Sequence, residues 1–274
     1  MFRMKKIIYL AFVGLLLTSC SEYNKVLNKG TIEEQYALAS KLYEAKKYNK
    51  ALNLFEKVTP SYNGKPQMER IQFMVAQSNF NTKSYDLAGY YFSRFAQNYP
   101  KSSKREEAAY LSAYSYKLAS PIFSLDPTDT NKALNAFQSF IDAYPDSKRI
   151  PEANKNYQEI RYKLQKKAFE IAKVYYTTAE YDPARNYTAA IQAFDNLLED
   201  YLGSEFKEEA LYYRLKAAHD LAVKSTNRKK GTRIKDAILA YEKLKRNFPK
   251  SKYLEDSNKM LATLEKEQKQ LLKS

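Results

Sequence analysis

The sequence predicts an all-α fold: about five helix hairpins stacked in series and closed by a C-terminal capping helix. Three observations carry that expectation. The 274 residues include only six glycines and no tryptophan, while Ala, Leu, Lys and Glu, all good helix formers, are abundant. An apolar pattern with helical spacing recurs five times along the chain. A proline and a serine then punctuate most copies at fixed distances, where one helix must stop and the next begin.

The first segment precedes the fold. Arg3, Lys5 and Lys6 give a basic start, and Ile7 to Leu17 carry no charge. That run is too short to span a bilayer, which takes ~20 apolar residues, and it suits the central part of an export signal. Leu17-Thr18-Ser19-Cys20 closes it and resembles a bacterial lipobox. In such signals the cysteine sulfur takes a diacylglyceryl group, and cleavage makes that cysteine the first residue. The resemblance implies that residues 1–19 are a lipoprotein signal peptide and that Cys20 is the lipidation site. Each buried methylene contributes ~0.8 kcal/mol, so two or more acyl chains hold a protein firmly on a membrane. Ser21 stands where an aspartate would, by resemblance to the known sorting rule, favour the inner membrane, which directs the expectation to the outer membrane. Residues 20–30 are polar and read as a tether reaching at most ~39 Å when extended. Cys20 is the only cysteine, so no disulfide forms within the chain.

Five copies of one pattern follow. Ala51, Ala88, Ala133, Ala190 and Ala237 open it, and Phe55, Phe92, Phe137, Phe194 and Tyr241 stand four residues on. Val58, Phe95, Phe140, Leu197 and Leu244 stand seven on; Tyr62, Tyr99, Tyr144, Tyr201 and Phe248 stand eleven on. These offsets share one helix face. Pro100, Pro145 and Pro249 end the helix in three copies, and Ser102, Ser147, Ser204 and Ser251 stand fourteen residues after the alanine in four. A small residue six further on, Ala108, Ala153, Ala210 or Ser257, opens the next helix. The preceding helices repeat as well: Tyr36, Phe73 and Tyr110 are 37 apart, as are Ala39, Ala76 and Ala113. Successive alanine steps of 37, 45, 57 and 47 residues place extra helix or loop in the later copies.

Local signals set the boundaries. Thr31-Ile-Glu-Glu34 and Ser103-Lys-Arg-Glu106 read as capping boxes. Asp126-Pro127 and Asp182-Pro183 each place a capping side chain before a proline at the first helical position. Lys155 to Thr178 is a long helical pattern without a breaker, and Ser251 to Leu272 is the expected terminal helix with a polar tail suited to a cap.

The unit with a small residue in its first helix and Ala-x3-Phe with a later proline in its second resembles the tetratricopeptide repeat. That resemblance implies a right-handed superhelix with an N-terminal half at 31–145 (repeats one to three) and a C-terminal half at 146–274 (repeats four, five and the cap). Three stretches go further: Phe95-Ala-Gln-Asn-Tyr-Pro-Lys-Ser102, Asp126 to Ser147, and Leu164 to Tyr176. With the lipobox and short tether, they make the chain resemble the BamD-like outer-membrane assembly lipoproteins. It departs from their pattern near Thr177 to Tyr187 and in having Leu202 where a proline would stand. The resemblance implies a non-catalytic scaffold of the β-barrel assembly machinery, lipid-anchored on the periplasmic face of the outer membrane. It further implies that repeats one to three hold unfolded outer-membrane proteins and that repeats four and five dock on a BamA-like barrel assembly protein.

In tetratricopeptide proteins the first helix of each pair lines the inner surface. The repeat count then points Tyr36, Tyr43, Phe73, Gln77, Phe80, Tyr110 and Tyr114 at substrate peptide, since tyrosine offers apolar area and a hydroxyl at low entropy cost. The alternative is that these aromatics fill gaps between repeats. Net formal charge is +15, and +12 without the three basic residues of the leader. Lys46-Lys47, Lys166-Lys167 and Arg228-Lys229-Lys230 fit solvated helix faces, with anionic head groups as a second reading and nucleic acid a weak third, since an exported lipoprotein rarely meets it. Catalysis finds no support. His219 is the only histidine, so a His-based metal cluster is excluded, and no glycine-rich phosphate loop or other cofactor site occurs. Two rivals remain: a repeat lipoprotein tied to peptidoglycan or other envelope processes, which a coiled coil before the repeats would favour, and a glycan-binding outer-membrane lipoprotein, which exposed tryptophans would favour.

Overall fold

The computed structural model describes residues 22–272. The expected signal peptide and Cys20 lie outside them. All regular structure among the described residues is helical. Five helix pairs follow one another: α1 (Ile32–Glu44) with α2 (Tyr48–Val58), α3 (Gln67–Asn81) with α4 (Tyr85–Asn98), and α5 (Arg105–Ala119) with α6 (Thr128–Ala143). Then come α7 (Ile150–Thr177) with α8 (Pro183–Asp200), α9 (Lys207–Val223) with α10 (Asn227–Asn247), and the closing helix α11 (Leu254–Leu271). Each pattern alanine lies on the buried face of a second helix. No helix among the described residues is long and apolar enough to cross a membrane.

The pattern positions are the core. All five opening alanines and Phe55, Phe92, Phe137 and Phe194 are fully buried, as are the small residues Ala108, Ala153, Ala210 and Ser257. A β-carbon there is all that the approach of the next helix leaves room for, while the phenylalanines fill the space between pairs. The recurrent serine has a specific task. Oγ of Ser102, Ser147, Ser204 and Ser251 accepts the backbone N–H two residues on, at 3.1 Å in all four. The serine N–H itself bonds the carbonyl three residues back. Side chain and backbone together turn the chain from one repeat into the next.

Caps divide into those formed and those displaced. Thr31 and Glu34 make the reciprocal box at the start of α1, and Asp182 caps α8 by accepting from Arg185 N with Pro183 in the first turn. Ser103 caps nothing: α5 starts at Arg105 after Lys104, because the turn serine, Ser102, has already taken the Lys104 N–H. Glu106 instead accepts from Ser147 Oγ at 2.5 Å. Pro127 is the residue before α6 rather than its first. The lengthened steps also resolve. The 120–127 loop separates α5 from α6, α7 alone has 28 residues, and α10 has 21.

Residues 22–29 correct the reading of an extended tether. They are helical and lie on the first pair. Tyr23 and Leu27 join the core of α1 and α2, and Lys57 Nζ donates to Leu27 O at 2.8 Å. Gly30 ends this segment with its N–H on Val26 O, where a Cβ would stand 2.6 Å from that oxygen. Gln35 Nε2 reaches the carbonyls of Val26, Leu27 and Gly30 at 3.2–3.4 Å.

The chain forms two compact units. The first comprises residues up to Pro121 and Pro127–Tyr157; the second comprises Ile122–Asp126 and Gln158 onward. In the first, α4 and α5 approach so closely that a Cβ on Gly89 would meet the Tyr116 ring at 2.6 Å, and Ser112 Oγ donates to Gly89 O at 2.8 Å. In the second, Arg214 of α9 is a half-buried tie. It donates to Asp195 of α8 through Nε and Nη2 and to Asp236 of α10 through Nη1 and Nη2, at 3.0–3.3 Å.

Candidate peptide-binding faces

In the first unit, α1, α3 and α5 carry the seven residues singled out from the sequence. Tyr43, Phe73 and Gln77 come together in one groove of about 490 Å³, with Arg70, Met74 and Lys104 beside them. The Tyr43 hydroxyl donates to Gln77 Oε1, so α1 and α3 are joined across the groove floor. Phe73 packs edge-on against Phe92 and Phe95 of its own repeat, and Lys104 Nζ stands 5.5 Å from its ring centroid. The groove therefore offers aromatic surface, an amide, two cations and the Glu69 carboxylate.

The other four residues lie elsewhere. Tyr36 packs on Tyr62 at 5.1 Å between ring centroids, in the core of the first pair. Phe80 and Tyr114 meet at 6.3 Å, and Tyr114 stacks on Tyr110. Tyr110 itself is only 3% exposed. It is wedged against Phe137 and Phe140 with the Arg149 guanidinium over its ring, so it supports the face from beneath rather than presenting surface. Burial, helped by Glu152, pushes its hydroxyl pKa well up. Tyr43 is also raised, by burial first and then by neighbouring Tyr48 and Glu107. Both remain hydrogen-bonding phenols at neutral pH.

The second unit builds a comparable face from α7 and α9 that the sequence reading did not single out. Tyr176 donates to Asp220 at 3.0 Å, and Tyr212 donates to Asp256 at 2.7 Å and stacks on Tyr253. Lys216 lies over Tyr176, Tyr212 and Tyr213, and Lys173 over Phe169 and Tyr213. The signal was present as lysine three or four residues from an aromatic residue, at Phe169–Lys173 and at Tyr212, Tyr213–Lys216, a spacing that stacks side chains on a helix. His219, the sole histidine, sits in α9 with Nδ1 2.8 Å from Asp220 Oδ1 and its Nε2 buried without a partner. It packs beside the face and orients a carboxylate already bonded to Tyr176.

A third surface lies on the outer side of α7. Phe123, Ile171, Val174 and Tyr175 line a groove of about 350 Å³, and Ile171, Val174 and Tyr175 are exposed. The 122–126 loop beside it is clamped by Lys167, whose Nζ donates to the carbonyls of Phe123, Ser124 and Leu125 at 3.3, 3.3 and 2.7 Å. Lys166 covers the Phe123 ring at 4.6 Å. The basic pair Lys166-Lys167 thus has a structural task. Of the third basic cluster, Lys230 pairs with Glu267 at 2.7 Å.

These surfaces suit gripping polypeptide, and their scaffold has known relatives. Residues 28–234 match the YfiO family, described as an outer membrane lipoprotein. The chain is similar to the outer membrane protein assembly factor BamD of Rickettsia prowazekii, at 25% identity over 89% of this chain and 91% of that protein. It is similar to the BamD of Neisseria meningitidis serogroup B at 23% identity over 92% and 94% of the two chains. The BamD of Buchnera aphidicola matches at 24% over 82% and 96%.

Proposed function

The chain belongs to the YfiO family of outer membrane lipoproteins, and on that premise we propose that it is a non-catalytic scaffold of the machinery that assembles β-barrels in the outer membrane. The observation that carries this reading is the match to the family and to BamD proteins across nearly all the helix pairs. A thioether-linked diacylglyceryl group on Cys20 would hold the chain on the periplasmic face of the outer membrane. Repeats one to three, in the 31–145 half, would hold unfolded outer-membrane proteins. The Tyr43–Phe73–Gln77 groove supports this half of the assignment, because its aromatic floor and amide suit an extended or helical peptide. Repeats four and five, in the 146–274 half, would dock on the periplasmic domains of a BamA-like barrel assembly protein. The exposed apolar side of α7 supports that half, since clustered exposed Ile, Val and Tyr mark contact surfaces.

Affinity purification of the full chain from detergent-solubilised membranes tests the reading. Recovery of a large barrel protein with repeated periplasmic domains is the expected result; recovery only of glycan-uptake or cell-wall proteins would replace it. For the groove, Tyr43→Ala with Phe73→Ala should weaken binding of an unfolded barrel-protein peptide by roughly tenfold or more, as loss of paired aromatic anchors does. Unchanged affinity in a folded double variant would remove the groove from the proposal.

A further inference from the structure

We propose that the α7–α9 face of the second unit is a receptor for an acidic polypeptide segment, with Lys173 and Lys216 as the pair that reads its carboxylates. The inference rests on the assignment of repeats four and five to a partner protein and adds to the apolar side of α7 a second contact with its own chemistry.

Both ammonium groups converge on one ring. Lys173 Nζ is 5.2 Å and Lys216 Nζ 5.8 Å from the centroid of Tyr213. Lys173 also lies 5.3 Å from Phe169, and Lys216 lies 5.5 and 5.4 Å from Tyr176 and Tyr212. Both side chains are half-buried. Neither has an ion-pair partner among the described residues. Four nearby carboxylates already have partners. Asp220 accepts from Tyr176 and His219, Asp256 accepts from Tyr212, and Asp195 and Asp236 are held by Arg214.

Aromatic faces compensate a cation only in part, by about 0.5–2 kcal/mol. Two half-desolvated cations sharing a ring also repel each other. A carboxylate entering between them relieves both terms and forms charge-assisted hydrogen bonds. Phosphate is the poorer fit. Phosphate sites recruit helix N-termini and bidentate guanidinium groups, whereas Lys173 lies near the end of α7, Lys216 lies in the middle of α9 and the adjacent arginine is saturated. The surrounding rings instead offer apolar floor to the residues between the acids of an extended segment.

The test titrates full-length protein with a short fluorescein-labelled peptide alternating Glu and Phe, read by anisotropy. A peptide with Gln in place of every Glu is the control. The Glu peptide should bind, and the Gln peptide should bind roughly tenfold or more weakly. Lys173→Gln with Lys216→Gln should cause a loss of the same order, and Lys173→Arg with Lys216→Arg should restore binding. Equal binding of the two peptides by the unmodified protein overturns the proposal without any variant. So does inorganic phosphate competing as well as the Glu peptide, or unchanged affinity in a folded Gln variant. The membrane purification separates the two levels. A barrel partner recovered while the peptide arm fails removes the lysine pair and leaves the assembly reading. Charge-dependent peptide binding with no barrel partner does the reverse.

Discussion

The turn serine shows how much a single side chain decides. Its hydroxyl supplies an acceptor to an N–H that the helix start would otherwise leave open, and it recurs at Ser102, Ser147, Ser204 and Ser251 with one geometry. Ser204 carries the heaviest duty, because it is buried and also donates to Gln165 Oε1 at 2.7 Å. Ser204→Ala should therefore cost about 1–3 kcal/mol in urea unfolding, since it orphans a buried amide. Ser102→Ala, at a wetter turn, should cost less. Asp220 gives a second prediction. Burial alone would raise its pKa, but bonds from His219 and Tyr176 outweigh burial and hold it below the ordinary value of 3.8. A depressed folded pKa contributes stability above the unfolded value, and that contribution is lost as pH falls through the folded value. The gap in melting temperature between the native chain and Asp220→Asn should thus be full near neutrality and shrink below about pH 4. A gap that is constant down to pH 3 would remove the linkage.

At the scale of elements, what the sequence made legible followed from periodicity. The second helices were read with their buried faces, because Ala, Phe and the next apolar residue at offsets 0, 4 and 7 admit one interpretation. Starts were less legible. Ser103 looks like a cap, yet the chain is already turned by Ser102, and Pro127 looks like a first helical residue, yet α6 begins at Thr128. Residues 22–29 were misread because Glu22, Asn24, Lys25 and Lys29 mask the Tyr23, Val26 and Leu27 stripe. For the candidate sites, spacing placed Tyr43, Phe73 and Gln77 together. It could not show that Tyr110 is roofed by the next repeat, since that depends on how pairs stack. The 122–126 loop is held locally: one ammonium group binds three of its carbonyls. Lys167→Met keeps the stem and removes the clamp, so limited proteolysis should cut between residues 122 and 126 several-fold faster while the global unfolding midpoint moves little. No change in cleavage rate would show that the loop is held by its other contacts.

Over the whole molecule, each unit is a series of neighbours, so stability is shared between adjacent pairs rather than concentrated in one core. Separate clusters around Phe55, Phe92, Phe194 and Leu244 reflect this. Faces for two different polypeptides can then be carried on one chain, each on its own repeats, with aromatic rings and lysines tuned locally.

The docked segment at 22–29 changes what a lipid on Cys20 would do. Ser21 alone stands between that cysteine and Glu22, a link of no more than about 7 Å. Such a mooring leaves almost no slack. The opening hairpin would ride at a set stand-off from the lipid head groups, with restricted freedom to swivel. A flexible glycine–serine insert after Ser21 would keep the chain on the membrane yet abolish that fixed height. Reduced barrel assembly in cells carrying such an insert would show that distance, and not attachment alone, is what the amino-terminal turns enforce.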